Sequence, residues 1–564
     1  MAIIQPIIDL VEICSLHGVE HAILCPGSRS AAITMAFVRN PKIKCYSISD
    51  ERSAGFMAIG MALQSKKPVV IVCTSGSAVY NFSPAVAEAY FQQIPIIVIS
   101  ADRPLEWIHQ NDGQTIYQNE IFGKNCKKSY NLLADFNHID TNWYYQRTVN
   151  EAINISVVKP KGPVHLNVPI REPFYPLVNE VFEPSENIQF IQYSKNENIL
   201  NSVELQTLVN EFSKFDKILI AVGQKEANHE LDELLKLIQL KYNIPVIGDV
   251  IANLKIVKVT NQDLFLGADN ELFKPNLLIT LGKSFISKAF KKYFQKHKAQ
   301  THWHINEGVN IIDPLQSITK IINCNPVYFF TEILQRAKND TDRFDFNDKF
   351  QIENSEAEAR KSHYFNNNRV FSELFAYKTV IDNLPANICL HLANSMAVRY
   401  TNIIGLNNVR NIEIFANRGT SGIDGCLSTA VGAAMLTNDL VYLFIGDVAF
   451  FYDRNAFWNN YLPKNLRIII FNNGGGGIFR LIDGPSSQPE LEEFFETKQN
   501  WSAKATVQEA YFDYFSASNL KEINECIQEF NSLLGSSKCL EIFTEGKVNQ
   551  AEFATFLKEV KSNK

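Results

Sequence analysis

A chain of 564 residues with 54 basic and 60 acidic side chains, a formal charge of −6 and 46% hydrophobic residues has the composition of an ordinary soluble globular protein, which excludes disordered and fibrous classes. Its length exceeds what one core can serve and predicts three or four domains. The mild charge excludes a field that recruits nucleic acid or holds a membrane surface, and without a run of 18 apolar residues no stable membrane insertion is expected.

In chain order, MAIIQPIIDLVEICSLHG lacks a basic start and carries Asp9 and Glu12 inside its apolar pattern. An amphipathic helix is predicted there rather than a signal peptide, and with it a cytoplasmic location. The β-branched runs HAILCP, PVVIVCT and IPIIVISAD then alternate with longer helical patterns, the rhythm of a parallel sheet with crossover helices. PFYPLVNEVFEPSENIQFIQYSKNEN, residues 173 to 198, reads as a connector. KILIAVG and PNLLITLGKS predict a second open sheet; the turn AVGQKE has one glycine and no GxGxxG, so no dinucleotide is expected. KAFKKYFQKHK, 288 to 298, reads as an amphipathic helix with a solvated face. A second connector is predicted in the polar stretch 335 to 363, followed by a third sheet with LVYLFIG and LRIIIFN as strands. The fold class is α/β, three open parallel-sheet domains, with bounds expected at 1–178, 190–345 and 355–564. Ten scattered cysteines with no CxxC pair predict buried free thiols rather than zinc or a disulfide framework.

The first and third parts share a pattern. DERSAGFMAIGMA, strand PVVIVCT and SGSAVYNFSPAVAEA in one correspond to SGIDGCLSTAVGAA, strand LVYLFIG and GDVAFFYDRNAFWNN in the other, with Gly76 at the place of Gly446. Two related domains around a different middle one are expected.

In LVYLFIGDVAFFYDRNAFWNNYLPKNLRIIIFNNGGGG, one strand ends at Gly446-Asp447 and the next at Asn472-Asn473. Both ends emerge at the carboxyl edge of a parallel sheet, where ligands bind in open α/β folds. A carboxylate and an amide oxygen are hard ligands suited to Mg²⁺, and glycines let backbone approach an anion. Taken alone, the pattern is equally common turn chemistry. In the first part Glu51 opens the helix pattern of SDERSAGF, where it is either a special carboxylate or an ordinary N-terminal acid favoured by the helix dipole.

Together, Glu51 and GD…NN resemble the thiamine diphosphate enzymes of the decarboxylase and acetohydroxyacid synthase type, over the whole chain. The implied arrangement is a pyrimidine-binding, a middle and a diphosphate-binding domain. CPGSRSAAI, SDERSAGF, TSGSAVYNFSPAV, SADRP and ANRGTSGIDG are most similar to the menaquinone-pathway branch, which implies a transferase that decarboxylates 2-oxoglutarate and adds the succinyl unit to isochorismate in a 1,4 sense. A different carboligase of the family, such as an acetohydroxyacid synthase, or a non-catalytic relative are the alternatives.

The resemblance implies thiamine diphosphate held by Glu51, Ser75, Ile423, Gly446, Asp447, Asn473 and Gly475, with Glu51 catalytic on the aminopyrimidine ring and Ile423 bending the cofactor. It implies Mg²⁺, or Mn²⁺, on Asp447, Asn473 and the Gly475 carbonyl. Val448 and Gly474 depart from the family pattern, and Gly474 is expected to loosen its loop. Two dicarboxylate substrates call for cations with bidentate reach, and Arg29, Arg103, Arg399 and Arg418 stand at predicted strand ends. Ser28, Gln114, Ser395 and Lys288 match further polar contacts, and Ile478 and Phe479 an apolar wall. Asn111-Asp112-Gly113-Gln114 departs from the Gly-Ala-Asn-Gln of relatives. Because Glu51 and the metal motif lie in different domains, the family builds its site between subunits, so a homodimer or homotetramer is expected.

Overall fold

The computed structural model describes residues 5–561 apart from 173–174, 177–179, 195–197, 257, 268–270, 309, 340 and 407–409. Parts of the connector read at 173–198, and the first four residues of the N-terminal helix pattern, lie outside the described residues.

The chain forms three parallel sheets. The first holds β1 (His21–Leu24), β2 (Lys44–Ser47), β3 (Val69–Cys73), β4 (Ile96–Asp102), β5 (Lys128–Asn131) and β6 (Val164–Pro169) in the order β2-β1-β3-β4-β6-β5. The middle sheet holds β7 (Ile218–Val222), β8 (Val246–Gly248), β9 (Leu277–Leu281), β10 (Thr301–Ile305) and β11 (Lys320–Ile322), ordered β11-β10-β9-β7-β8. The third comprises β12 (Cys389–Leu392), β13 (Glu413–Phe415), β14 (Val441–Gly446), β15 (Leu466–Asn472), β16 (Asp513–Ala517) and β17 (Lys538–Phe543), ordered β13-β12-β14-β15-β17-β16. Strand for strand, the first and third sheets have one topology, which accounts for the internal similarity of their sequences. Gly76 and Gly446 occupy equivalent places, each at the N-cap of the helix that follows β3 or β14.

Continuous apolar runs become strands here because both faces are covered by helices; every residue of β3, β4, β7, β9 and β15 is buried. Helices Glu51–Ser65 and Cys426–Ala434 are buried nearly throughout and rich in small residues. Asp50 caps the first of them by accepting from the N–H groups of Arg52 and Ser53, the role that residue type favours at an N-cap.

The polar stretch 335–363 is a connector only at its start. From Phe344 to Asn367 it is a helix, with Phe346, Phe350, Ala357, Tyr364 and Phe365 on its buried side. Most of its dense charges face outward, Glu353 and Lys361 being buried, and some pair at helical spacing, Lys349 with Asp345 and Arg360 with Glu356, which is why they read as a linker. The earlier connector, where described, is zipped onto helix Ile139–Val157: Gln146, Asn150 and Asn154 accept from the backbone N–H groups of Gln189, Ile191 and Tyr193 at 2.8, 2.8 and 3.1 Å.

Candidate active site

β14 and β15 are neighbours, with Gly446 in register with Phe471, so Asp447 and Asn473 leave the sheet at the same edge. Asp447 is buried, and Gln499 Nε2 donates to its Oδ2 at 2.5 Å. Burial pushes its carboxyl up to about 6, against the opposing hydrogen bonds from Gln499 and from the backbone of Val448 and Gly475. Asn473 Nδ2 faces Glu373, 3.4 Å from each carboxylate oxygen. Its buried Oδ1 has no hydrogen-bond partner among the described residues, a costly arrangement unless something else occupies that acceptor.

The glycine run is held in place. Gly474, at φ +78°, donates to Asn472 Oδ1 at 3.1 Å and accepts from the Gln499 N–H at 2.9 Å. Gly476 donates to the Glu496 carbonyl at 2.7 Å. A Cβ at Gly475 would fall 2.6 Å from that same carbonyl, so only glycine fits. The left-handed backbone at residue 474 suits glycine. The hard-oxygen donors, the orphaned Asn473 Oδ1 and this tight glycine turn fit a divalent cation beside an anion.

Glu51 is the first residue of its helix and accepts from Asn81 Nδ2 at 3.2 Å. Its charge raises the pKa of Cys25 and Cys73, at the ends of β1 and β3, on top of the larger effect of their burial. Ser75, between β3 and the turn at Gly76, is buried with its Oγ unpartnered among the described residues. Ile423 is 38% exposed. Ile478 and Phe479 lie in the short turn Gly477–Arg480, half-buried.

The cations form two groups. Arg29 is buried at the end of β1, donating to the Ile170 carbonyl at 3.0 Å and pairing with Glu172 at 3.2 Å. Burial and then the charge of Arg103 depress its pKa. Arg103 pairs with Asp112 at 2.8 Å and donates to the Gly113 carbonyl, so the loop Asn111-Asp112-Gly113-Gln114 holds this arginine. Ser28 and Gln114 are exposed; the Gln114 backbone lies against Gly76, where a Cβ would come within 3.1 Å.

The second group joins the middle and third sheets. Burial and then Arg418 lower the pKa of Arg399. Lys291 is lowered by burial and by Arg418, Arg399 and Lys288, against the pull of Asp249. Lys288, Arg399 and Ile478 line a cavity of about 550 Å³ whose wall also includes Lys292 and Lys296. Lys288, Lys292 and Lys296 are exposed and Phe290, Tyr293 and Phe294 buried, so the helix is amphipathic with a solvated basic face, as its sequence suggests, and that face borders the cavity. Ser395, at φ +68°, caps the helix carrying Arg399 and accepts from its guanidinium through the backbone carbonyl. Arg418 is set by the first sheet's helix Ser83–Gln92: Gln92 Oε1 accepts from its N–H at 3.0 Å, and buried Glu88 accepts from Gly419 and Thr420.

Residues 9–123 match the family described as thiamine pyrophosphate enzyme, N-terminal TPP binding domain, and 186–387 the middle domain of thiamine pyrophosphate. A 2-succinyl-5-enolpyruvyl-6-hydroxy-3-cyclohexene-1-carboxylate synthase of Cytophaga hutchinsonii is 42% identical over 565 residues, covering 99% of both chains. Proteins of the same name from Flavobacterium psychrophilum and Bacteroides fragilis are each 36% identical, covering 98% of both chains. The chain belongs to this synthase family. It is a thiamine diphosphate-dependent enzyme of the menaquinone pathway, and its α/β fold of three parallel sheets is that of the family.

Sequence reasoning did not find Glu373, Gln499 or Gln118 in this synthase. Glu373 stands 100 residues before the Asn473 it touches, and no local pattern links them. Gln118 accepts from the Gly76 N–H at 2.8 Å and donates to the Ala101 carbonyl and to Asn167, pinning the turn after β3. Lys291 did carry a signal, the Lys-rich stretch 288–298, which helical periodicity alone assigns to solvent.

Proposed function

We propose that this chain decarboxylates 2-oxoglutarate and adds the succinyl unit to isochorismate, giving 2-succinyl-5-enolpyruvyl-6-hydroxy-3-cyclohexene-1-carboxylate. The observation that carries the reading is the half-buried group Lys291, Arg399 and Arg418, in which burial first, and then mutual repulsion, lowers the pKa of Lys291 and Arg399. Such a group is costly until an anion joins it, and dicarboxylates supply that charge.

Asp447, Asn473 Oδ1 and the Gly475 carbonyl would hold Mg²⁺, or Mn²⁺, and Ser75 and Gly446 would contact the cofactor. Thiamine diphosphate, when bound, supplies the electron sink that decarboxylation requires. Glu51 would hold and return a proton at the aminopyrimidine ring, and Ile423 would pack against the cofactor. Lys288, Lys291, Ser395, Arg399 and Arg418 orient substrate carboxylates from one side, and Ser28, Arg29, Arg103 and Gln114 from the other. Ile478 and Phe479 exclude water from the reacting carbons. The ranges 1–178, 190–345 and 355–564 act as pyrimidine, middle and diphosphate domains.

The enzyme works as a homodimer or homotetramer in the cytoplasm, each site completed by Glu51 of a second copy. Support for this comes from the partners of half-buried Glu51, Asn81 on helix Ser77–Asn81 and Cys25 and Cys73 at the ends of β1 and β3, which all lie in the first part of the chain, away from Asp447 and Asn473 in sequence. No described helix is long and apolar enough to cross a membrane.

The test is an assay of purified protein with thiamine diphosphate and Mg²⁺. Carbon dioxide release from 2-oxoglutarate with matching loss of isochorismate is expected; absence of isochorismate loss overturns the assignment.

A further inference from the structure

We propose that Glu373 is a positioning residue that turns the amide of Asn473 so that its oxygen, not its nitrogen, faces the metal; the inference rests on the metal role given to Asn473 above. An amide presents an acceptor at one end and donors at the other, and only the acceptor end can bind a cation. Rotation about the last bond of asparagine exchanges the two ends at little steric cost, so something must select.

Glu373 does so by position. Its carboxyl group lies 3.4 Å from Asn473 Nδ2 through both oxygens; a carboxyl with two acceptor oxygens, the form that this contact favours against burial, accepts from N–H and repels a carbonyl oxygen. That leaves Asn473 Oδ1 on the other side, buried and without a partner among the described residues. Glu373 is itself anchored: its backbone N–H donates to Asn549 Oδ1 at 2.7 Å. Asn549 Nδ2 donates to Thr544 Oγ1 at 3.0 Å, and the Thr544 N–H donates to the Asn472 carbonyl at 2.9 Å. The chain of contacts thus returns to the residue before Asn473, fixing the distance between the Glu373 helix and the end of β15. Groups behind a ligand that fix its orientation are a general feature of metal sites.

The test is Mn²⁺ titration followed by electron paramagnetic resonance at saturating thiamine diphosphate, on wild type, Glu373→Gln, Asn473→Asp and the double variant. A glutamine offers Asn473 a donor as well as an acceptor, so the orientation is no longer imposed; Mn²⁺ affinity is expected to fall about 10-fold or more. Asp at residue 473 has oxygen at both ends, so adding Glu373→Gln to Asn473→Asp is expected to change affinity by less than about threefold. Equal affinities of wild type and Glu373→Gln overturn the proposal. An equal loss in both backgrounds also overturns it, because a merely structural role acts on either residue alike. Failure of wild type to bind Mn²⁺ removes the metal reading and this proposal together, whereas binding that ignores residue 373 removes this one alone. If Glu373→Gln does not fold, Glu373→Asp, which withdraws the acceptor by one methylene, is compared in the same two backgrounds with the same outcomes.

Discussion

Gly60 lies so close to Thr429 that a methyl group at residue 60 would fall 1.9 Å from the Thr429 carbonyl oxygen. The relation is reciprocal, since a Cβ at Gly432 would fall 2.1 Å from the carbonyl of Met57. Helices Glu51–Ser65 and Cys426–Ala434 therefore touch backbone to backbone. Gly60→Ala or Gly432→Ala must push the helices apart, and such overpacking costs about 1–3 kcal/mol or more. A lower thermal midpoint, with turnover reduced through displacement of the Glu51 end of its helix, is expected in both variants. A melting curve and activity equal to wild type in either would contradict this packing.

Glu51→Gln preserves an acceptor for Asn81 Nδ2, so folding and melting temperature are expected to stay unchanged. Turnover is expected to fall by about 100-fold or more, the usual worth of a positioned proton-transfer group. Steady-state rates beside a thermal melt check both halves, and near-normal turnover would refute the proton role.

Lys291→Gln removes one member of the cation group formed with Arg399 and Arg418. A charge-assisted contact is worth about 1.5–3 kcal/mol, so KM for a dicarboxylate substrate is expected to rise about 10-fold or more, with kcat less affected. Arg399→Lys is expected not to restore binding where the planar fork is needed. An unchanged KM in Lys291→Gln would place the anion elsewhere.

His165 and His391 are fully buried, and desolvation lowers each to about 3. Their folded pKa lies below the unfolded value of about 6.5, so below that pH the unfolded chain binds protons that the folded chain refuses. Stability is therefore complete above about 6.5 and lost as pH falls, by about 1.4 kcal/mol per pH unit for each histidine. Denaturant unfolding at about pH 7.5, 6 and 5 should show this slope, and His165→Gln should remove one proton's share of it. Among the described residues the His165 ring hydrogen-bonds to the Ser100 and Ser129 side chains, contacts a glutamine can partly keep. A variant slope equal to wild type would show that His165 charges in the fold.

The sequence by itself determined the α/β class, the relatedness of the first and third parts, and Glu51, Asp447 and Asn473 as candidates. Buried parallel strands and their glycine-rich ends leave a local signal: apolar runs of strand length, then residues chosen for backbone geometry. The charged helix Phe344–Asn367 was misread because its apolar stripe is sparse and its charges, paired at helical spacing, look like linker composition. Only the tertiary structure decided what stands behind Asn473 and where the cations converge. Glu373 meets Asn473 across 100 residues, Glu88 and Gln92 hold the Arg418 loop from another sheet, and Lys291 joins Arg399 and Arg418 through the packing of two sheets. Hydrogen bonds and charge interactions of this kind act through space, and their strength depends on distance and burial, neither of which is written in the order of residues along the chain.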